Sequence, residues 1–133
     1  MARRVLGAVR PAARLFTGST YAVLGYGALR EPGPRADEAA AFLAAIRKEV
    51  PVPITDEQVV QVNGAIQAAC GLLLALGTAQ RLSALILAGS MIPTTLAAHQ
   101  FWTVKDPAVR KQQQVELHKN MAMIGGLLFA ALD

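Results

Sequence analysis

The stretch "LSALILAGSMIPTTLAA", residues 82–98, runs for seventeen residues without a charged side chain. A surface helix of a water-soluble domain keeps charged and polar groups on its outer face. This segment has no charge for any face, so the solvent around it reads as lipid. The rest of the composition agrees. The chain is 53% hydrophobic and 17% charged, where a soluble domain carries about 25% charged residues. Its 133 residues suit one domain.

Working outward, three more spans are expected. Upstream, "TAQR" (78–81) is a tight turn, and the span before it reaches back to a capping box at Thr55 and Gln58, with Asp56 and Glu57 at the positive end of the helix dipole. Asn63 and Gln67 are four apart on that helix and should face the bundle interior rather than lipid. Gly64 and Gly71 are seven apart, as are Gly18 and Gly25. Small residues at that spacing let membrane helices approach closely. The segment from Pro11 to Leu29 is nineteen residues, roughly 28 Å of helix and close to the hydrocarbon thickness. Pro11 fits a first helical turn, and Arg14 can snorkel to the head groups. The basic start resembles a signal peptide, but no small-x-small cleavage site follows, so a retained first helix is expected. Within the third span Pro93 should kink the helix, with Thr94 and Thr95 able to bond freed carbonyls. Downstream, Asp106-Pro107 is a helix start. The wholly apolar part of that last helix, Met121 to Leu132, is only twelve residues, so Val115 to Lys119 must enter the interface, with Lys119 snorkelling and Asn120 buried.

The expected fold is therefore an all-α membrane protein: a four-transmembrane-helix bundle with one short amphipathic interfacial helix. The spans lie near 11–29, 58–77, 82–101 and 114–132, the interfacial helix near 36–49, and residues 1–133 form a single transmembrane domain. An even number of spans puts both termini on one side, with Arg3, Arg4, Arg10, Arg14 and Arg81. The leading arginines argue for the cytoplasmic face of a bacterial plasma membrane. The net charge of +4 is assigned to topology and lipid contact rather than nucleic acid, since no basic stripe with interleaved aromatics is present.

The same alternation of direction brings polar groups to the other end. Asn63, Gln67, His99, Trp102, Asp106, Lys119 and Asn120 gather there as a polar cup. The plain reading is a wet connection with amides bonding between helices; the alternative is a ligand or partner site. Catalysis is not legible. No serine or cysteine accompanies a histidine as a nucleophile–base pair. Cys70, the single cysteine, lies in an apolar run and reads as a packed small side chain. His99 and His118 lack a third or fourth ligand for zinc, and a bis-histidine haem would need deeper positions. No bound metal or cofactor is expected from the residues alone. Quinone is the one the cup's composition permits, through Asn63, Gln67, His99 and Trp102.

The ordered strings "HQFW" (99–102), "DPAVR" (106–110) and "KNMAMIGGLL" (119–128) resemble the DoxX family of small membrane proteins. "LREPGPRADEAA", "VNGAIQAACGLLLALG" and "RLSALILAGSMIPTTLAAH" resemble its actinobacterial branch, so the likeness covers nearly the whole chain. One departure is the "VELHK" segment, where the family pattern has histidine three to four residues before Lys-Asn. The resemblance implies a four-helix inner-membrane protein tied to redox enzymes: quinone-linked sulfur oxidation, or oxidative-stress assemblies. It implies roles for His99, Phe101, Trp102, Asp106, Arg110, Lys119 and Asn120. The expected function is a non-catalytic membrane subunit that anchors a redox or oxidative-stress complex; the alternative is a quinone-binding subunit of a membrane oxidoreductase. Its partners would be membrane lipids, other membrane or peripheral redox subunits, and further copies of itself as a homo-oligomer.

Overall fold

The computed structural model describes every residue from Met1 to Asp133. Five α-helices follow in order: α1 (Ala2–Arg30), α2 (Gly33–Glu49), α3 (Asp56–Leu76), α4 (Gln80–Ala98) and α5 (Pro107–Leu132), with a 3₁₀ turn at Phe101–Thr103 before the last. There is no strand.

Local chemistry sets the ends. Thr55 and Gln58 form the expected capping box of α3: the Thr55 hydroxyl accepts from the Gln58 backbone N–H, and the Gln58 side chain accepts from the Thr55 N–H. Gly77 closes α3 in the left-handed region at φ 74°, where a Cβ would be strained. Ala79 adopts φ 49° at the start of α4, a conformation that sequence alone gave no reason to place on alanine. Asp106 caps α5, accepting from Ala108 N–H at 3.0 Å, with Pro107 in the first turn. The first helix differs from expectation. It starts at Ala2, and Pro11 lies inside it. The backbone bond that Pro11 cannot make would have gone to the Gly7 carbonyl. Gly7 is exposed, so solvent can satisfy that carbonyl and the helix continues.

The α1–α3 pair is the tightest contact in the molecule. The two helices run antiparallel, Gly18 against Gly71 and Ala75, Gly25 against Gly64 and Ala68. A Cβ built on Gly25 would lie 2.5 Å from both the Gly64 carbonyl oxygen and the Ala68 nitrogen; one on Gly71 would lie 2.6 Å from the Ala22 nitrogen. Backbone meets backbone with no room for a methyl group. The seven-residue glycine spacing of both helices is thus one interlocking seam.

Helices α4 and α5 form the second pair. The chain ends join the two pairs. Arg10 pairs with Asp133 at 3.3 Å, and Arg81 donates to the Asp133 backbone oxygen at 3.1 Å. Arg14 donates to Gln80 Oε1 at 3.3 Å, and Gln80 Nε2 donates to the Ala130 carbonyl at 3.1 Å. The Arg14 guanidinium also lies against Gly77, at the negative end of the α3 dipole. Arg14 is held by the bundle rather than reaching outward to head groups.

The exterior is unlike that of a soluble protein. In α1 the buried residues are Gly18, Tyr21, Gly25 and Ala28, while Leu15, Phe16, Val23 and Leu24 are exposed. In α4 Ser83, Ala84 and Ala88 are inside with Leu87 and Met91, and Leu82, Leu85, Ile86 and Ile92 are outside. Small residues share the interior with Tyr21, Leu74, Leu87, Met91 and Leu127, and many other large apolar side chains face outward. Two helices, Asp56–Leu76 and Gln80–Thr103, are long and apolar enough to cross a membrane, and only 28% and 33% of their apolar windows are buried. Core helices of an aqueous globule would be mostly covered. A belt of exposed leucine, isoleucine and phenylalanine on this scale belongs in hydrocarbon.

Two substitutions test the seam. Gly71→Val drives a side chain into the α1 backbone and is expected to cost about 2–3 kcal/mol or more. Gly89→Ala, where an added Cβ meets nothing within 4 Å, should leave stability unchanged or raise it by up to about 1 kcal/mol. Cys70, buried beside Gly71, supplies the readout: maleimide labelling in mild detergent should be slow in the native protein and in Gly89→Ala, and fast in Gly71→Val. Equal labelling of the two variants would show that the seam does not hold the pair together.

Candidate functional site

The α3–α4 interface carries a polar seam in an otherwise apolar layer. Asn63 Nδ2 donates to Thr94 Oγ1 at 2.9 Å. One turn on, Gln67 Nε2 donates to Ser90 Oγ at 3.2 Å and approaches Thr94 Oγ1 at 3.5 Å and Met91 Sδ at 3.8 Å. The two hydroxyls bond their own helix: Ser90 to the Leu87 carbonyl and Thr94 to the Ser90 carbonyl, both at 2.8 Å. Thr94 therefore does not take the Gly89 carbonyl that Pro93 leaves free. Thr95 serves the other side, accepting from Asn120 Nδ2 of α5 at 3.1 Å. Amides thus bond between helices, as the plain reading of this end expects.

The same amides line a cavity of about 380 Å³, within the usual range of roughly 300–1,000 Å³ for small-molecule sites. Every helix contributes to its wall: Tyr21 and Leu24 from α1, Phe42 and Leu43 from α2, Asn63 and Gln67 from α3, Thr94 from α4 with His99 just beyond it, and Asn120 from α5. Most of the lining is apolar, and the polar groups cluster on the α3–α4 side. Gln67 is only 7% exposed, and Tyr21 is 2% exposed with a hydroxyl that has no hydrogen-bond partner. His99 Nδ1 lies 2.8 Å from Gln113 Oε1 of α5, which fixes the ring at the rim.

Helix α2 roofs this cavity. It packs across α3 and α4 and buries Ala36, Ala39 and Leu43, while Arg35 and Glu38 stand at the opening. Its far end is tethered by Arg47, which pairs with Asp56 and donates to the Ile54 carbonyl at 2.7 Å. The ion pair is half-exposed and contributes at most about 1 kcal/mol; its effect is to set where the roof sits. Helices α1 and α5 meet through side chains: Tyr21 and Leu127 belong to one buried cluster with Leu74, Leu87 and Met91.

Of the residues singled out from the sequence, Asn63, Gln67, His99 and Asn120 meet at the cavity. Phe101, Trp102, Asp106, Arg110 and Lys119 lie outside it. Phe101 and Trp102 stack edge to face with centroids 5.3 Å apart, and the Arg110 guanidinium lies 6.0 Å from the Phe101 ring. Asp106 is the cap of α5, and Lys119 pairs with Glu116 at 3.3 Å. These residues build the connection that carries the chain from α4 to α5. His118 is exposed and apart from the cavity wall. No three or more His, Cys, Asp or Glu side chains come together. Tyr21, Ser90 and Thr94 were not picked out as site residues. Tyr21 sits four residues from Gly25 and three from Gly18 in the packed stripe of α1, and that register was the available signal.

No curated protein and no solved structure matches the chain. A family model does: the one described as DoxX matches residues 11–100, the region holding α2, α3, α4 and most of α1. With more than half its length matched, and with an apolar exterior on its central helices, the chain belongs to the DoxX family of membrane proteins.

Proposed function

We propose that the chain is a four-pass protein of the bacterial plasma membrane, and that it is a non-catalytic subunit of a redox assembly that holds a quinone in the cavity between its helices. The pairing of the helices supports four passes. Helices α3 and α4 are apolar enough to cross; α1 lies along α3 through the glycine seam, and α5 lies along α4 from Asn120–Thr95 to Ala130–Gln80. A helix packed along a crossing helix shares its layer. Helix α2, short and roofing the bundle, is the interfacial helix. Arg10, Arg14 and Arg81 share one end with Asp133, and the excess of positive charge argues for that end, and both termini, in the cytoplasm.

The observation that favours quinone holding over anchoring alone is the cavity itself: an apolar chamber of about 380 Å³ with a few convergent polar groups, the usual makeup of a ligand site. A quinone ring suits the apolar walls, with an oxygen toward the free N–H of Asn63. The chamber's polar groups are mostly amides and hydroxyls, which suit holding a ring, and the electron-transfer partner in this reading is another subunit. The exposed apolar faces of α4 and α5 offer area for such a subunit or for a second copy of the chain.

Purification from the native host in mild detergent, followed by lipid extraction, should yield quinone in near-stoichiometric amount together with redox subunits, and Asn63→Leu should lower that amount severalfold. A preparation free of quinone that also takes up none when it is offered returns the chain to an anchoring role; a haem absorption band replaces quinone with haem. For topology, a C-terminal green fluorescent protein fusion should fluoresce and a C-terminal alkaline phosphatase fusion should be inactive. The opposite pair of results places the termini outside.

A further inference from the structure

We infer that the cavity binds the reduced, hydroquinone form of its ligand more tightly than the oxidised form. The inference rests on the quinone-holding reading and concerns which redox state that site selects.

Two hydroxyls of α4 set the hydrogen-bond directions along the seam. Ser90 Oγ donates to the Leu87 carbonyl and Thr94 Oγ1 to the Ser90 carbonyl, both at 2.8 Å. A hydroxyl has one hydrogen. Both are engaged by the helix's own backbone, so across the α3–α4 seam these oxygens can only accept. Whatever faces them must donate. The groups that face them are the side-chain amides of Asn63, at 2.9 Å from Thr94, and Gln67, at 3.2 Å from Ser90. An amide presents nitrogen on one side and oxygen on the other. The orientation of both is therefore fixed by Ser90 and Thr94: nitrogen toward α4, carbonyl oxygen away from it. Neither Asn63 Oδ1 nor Gln67 Oε1 meets a protein donor, and both residues line the cavity. His99 adds to this. With the ring hydrogen on Nδ1, donated to Gln113 Oε1 at 2.8 Å, Nε2 is left as an acceptor.

The cavity thus presents unmet acceptors. Its free donors are the second hydrogens of the Asn63 and Asn120 amides and the exposed Arg35; the Tyr21 hydroxyl has no partner but is sealed among its neighbours. A quinone oxygen only accepts. Set beside Gln67 Oε1 it leaves that buried carbonyl without a donor and puts two acceptors face to face. A hydroquinone hydroxyl donates to Gln67 Oε1 and keeps its own oxygen as an acceptor. Only the reduced ring supplies the hydrogen that Gln67 Oε1 lacks, and a polar atom left unmet in a mostly apolar cavity is unfavourable.

The test uses the intact chain in mild detergent, titrated under anaerobic conditions with decylubiquinol and, separately, with decylubiquinone. The expected result is a dissociation constant at least about tenfold lower for the quinol, equivalent to raising the potential of the bound two-electron couple by about 30 mV. Gln67→Met, which keeps the length of the side chain and removes its carbonyl, should weaken quinol binding about tenfold and quinone binding less than twofold. Equal affinities, or tighter binding of the quinone, overturn this inference and leave the quinone-holding reading in place. Binding of neither form overturns that reading and this inference with it. Where Gln67→Met fails to fold, judged by rapid Cys70 labelling, the ratio measured for the unaltered protein decides the matter alone.

Discussion

Contact of one backbone with another, at four glycines, is the constraint on which this molecule is built. In lipid there is no hydrophobic drive to bring helices together, because the acyl chains are as apolar as leucine. Association has to come from dispersion at short range, and dispersion is collected only where surfaces fit closely. Gly18, Gly25, Gly64 and Gly71 provide that fit along α1 and α3. The cavity lies beside this seam, bounded by Tyr21 and Leu24 of α1 and by Asn63 and Gln67 of α3.

The apolar exterior follows the same logic. An aqueous protein hides leucine because water excludes it. Here leucine, isoleucine and phenylalanine have no reason to hide, and the interior is filled by whatever fits best. The few polar groups inside are the ones that cannot face hydrocarbon unbonded. They bond each other across the α3–α4 and α4–α5 interfaces, and the partners on α4 are hydroxyls that first satisfy their own helix.

Much of the architecture was legible in the sequence because its signals are local. The capping box at Thr55, the Asp106-Pro107 start and the glycine spacing each depend on residues within two turns of one another. The start of α1 departs from expectation, because a proline that often opens a helix can also sit inside one where the carbonyl it deprives is exposed, as at Gly7. At the site, Asn63 and Gln67 were legible as inward amides. Their partners on α4 were not, since which of Ser90, Thr94 and Thr95 meets which amide depends on the rotation of one helix against another. The aromatic and charged residues of the α4–α5 connection drew notice by their density. In the fold they stack, cap and pair among themselves. Tyr21 was passed over because a tyrosine among glycines reads as packing, and its unpartnered hydroxyl becomes visible only once the neighbouring helices are in place.

The chamber is lined mainly by apolar side chains, and its polar groups are few. Such a lining favours solutes already dissolved in the bilayer over those arriving from the aqueous phase, because each polar group carried in must give up its water. Occupancy of such a chamber follows moles of solute per mole of lipid.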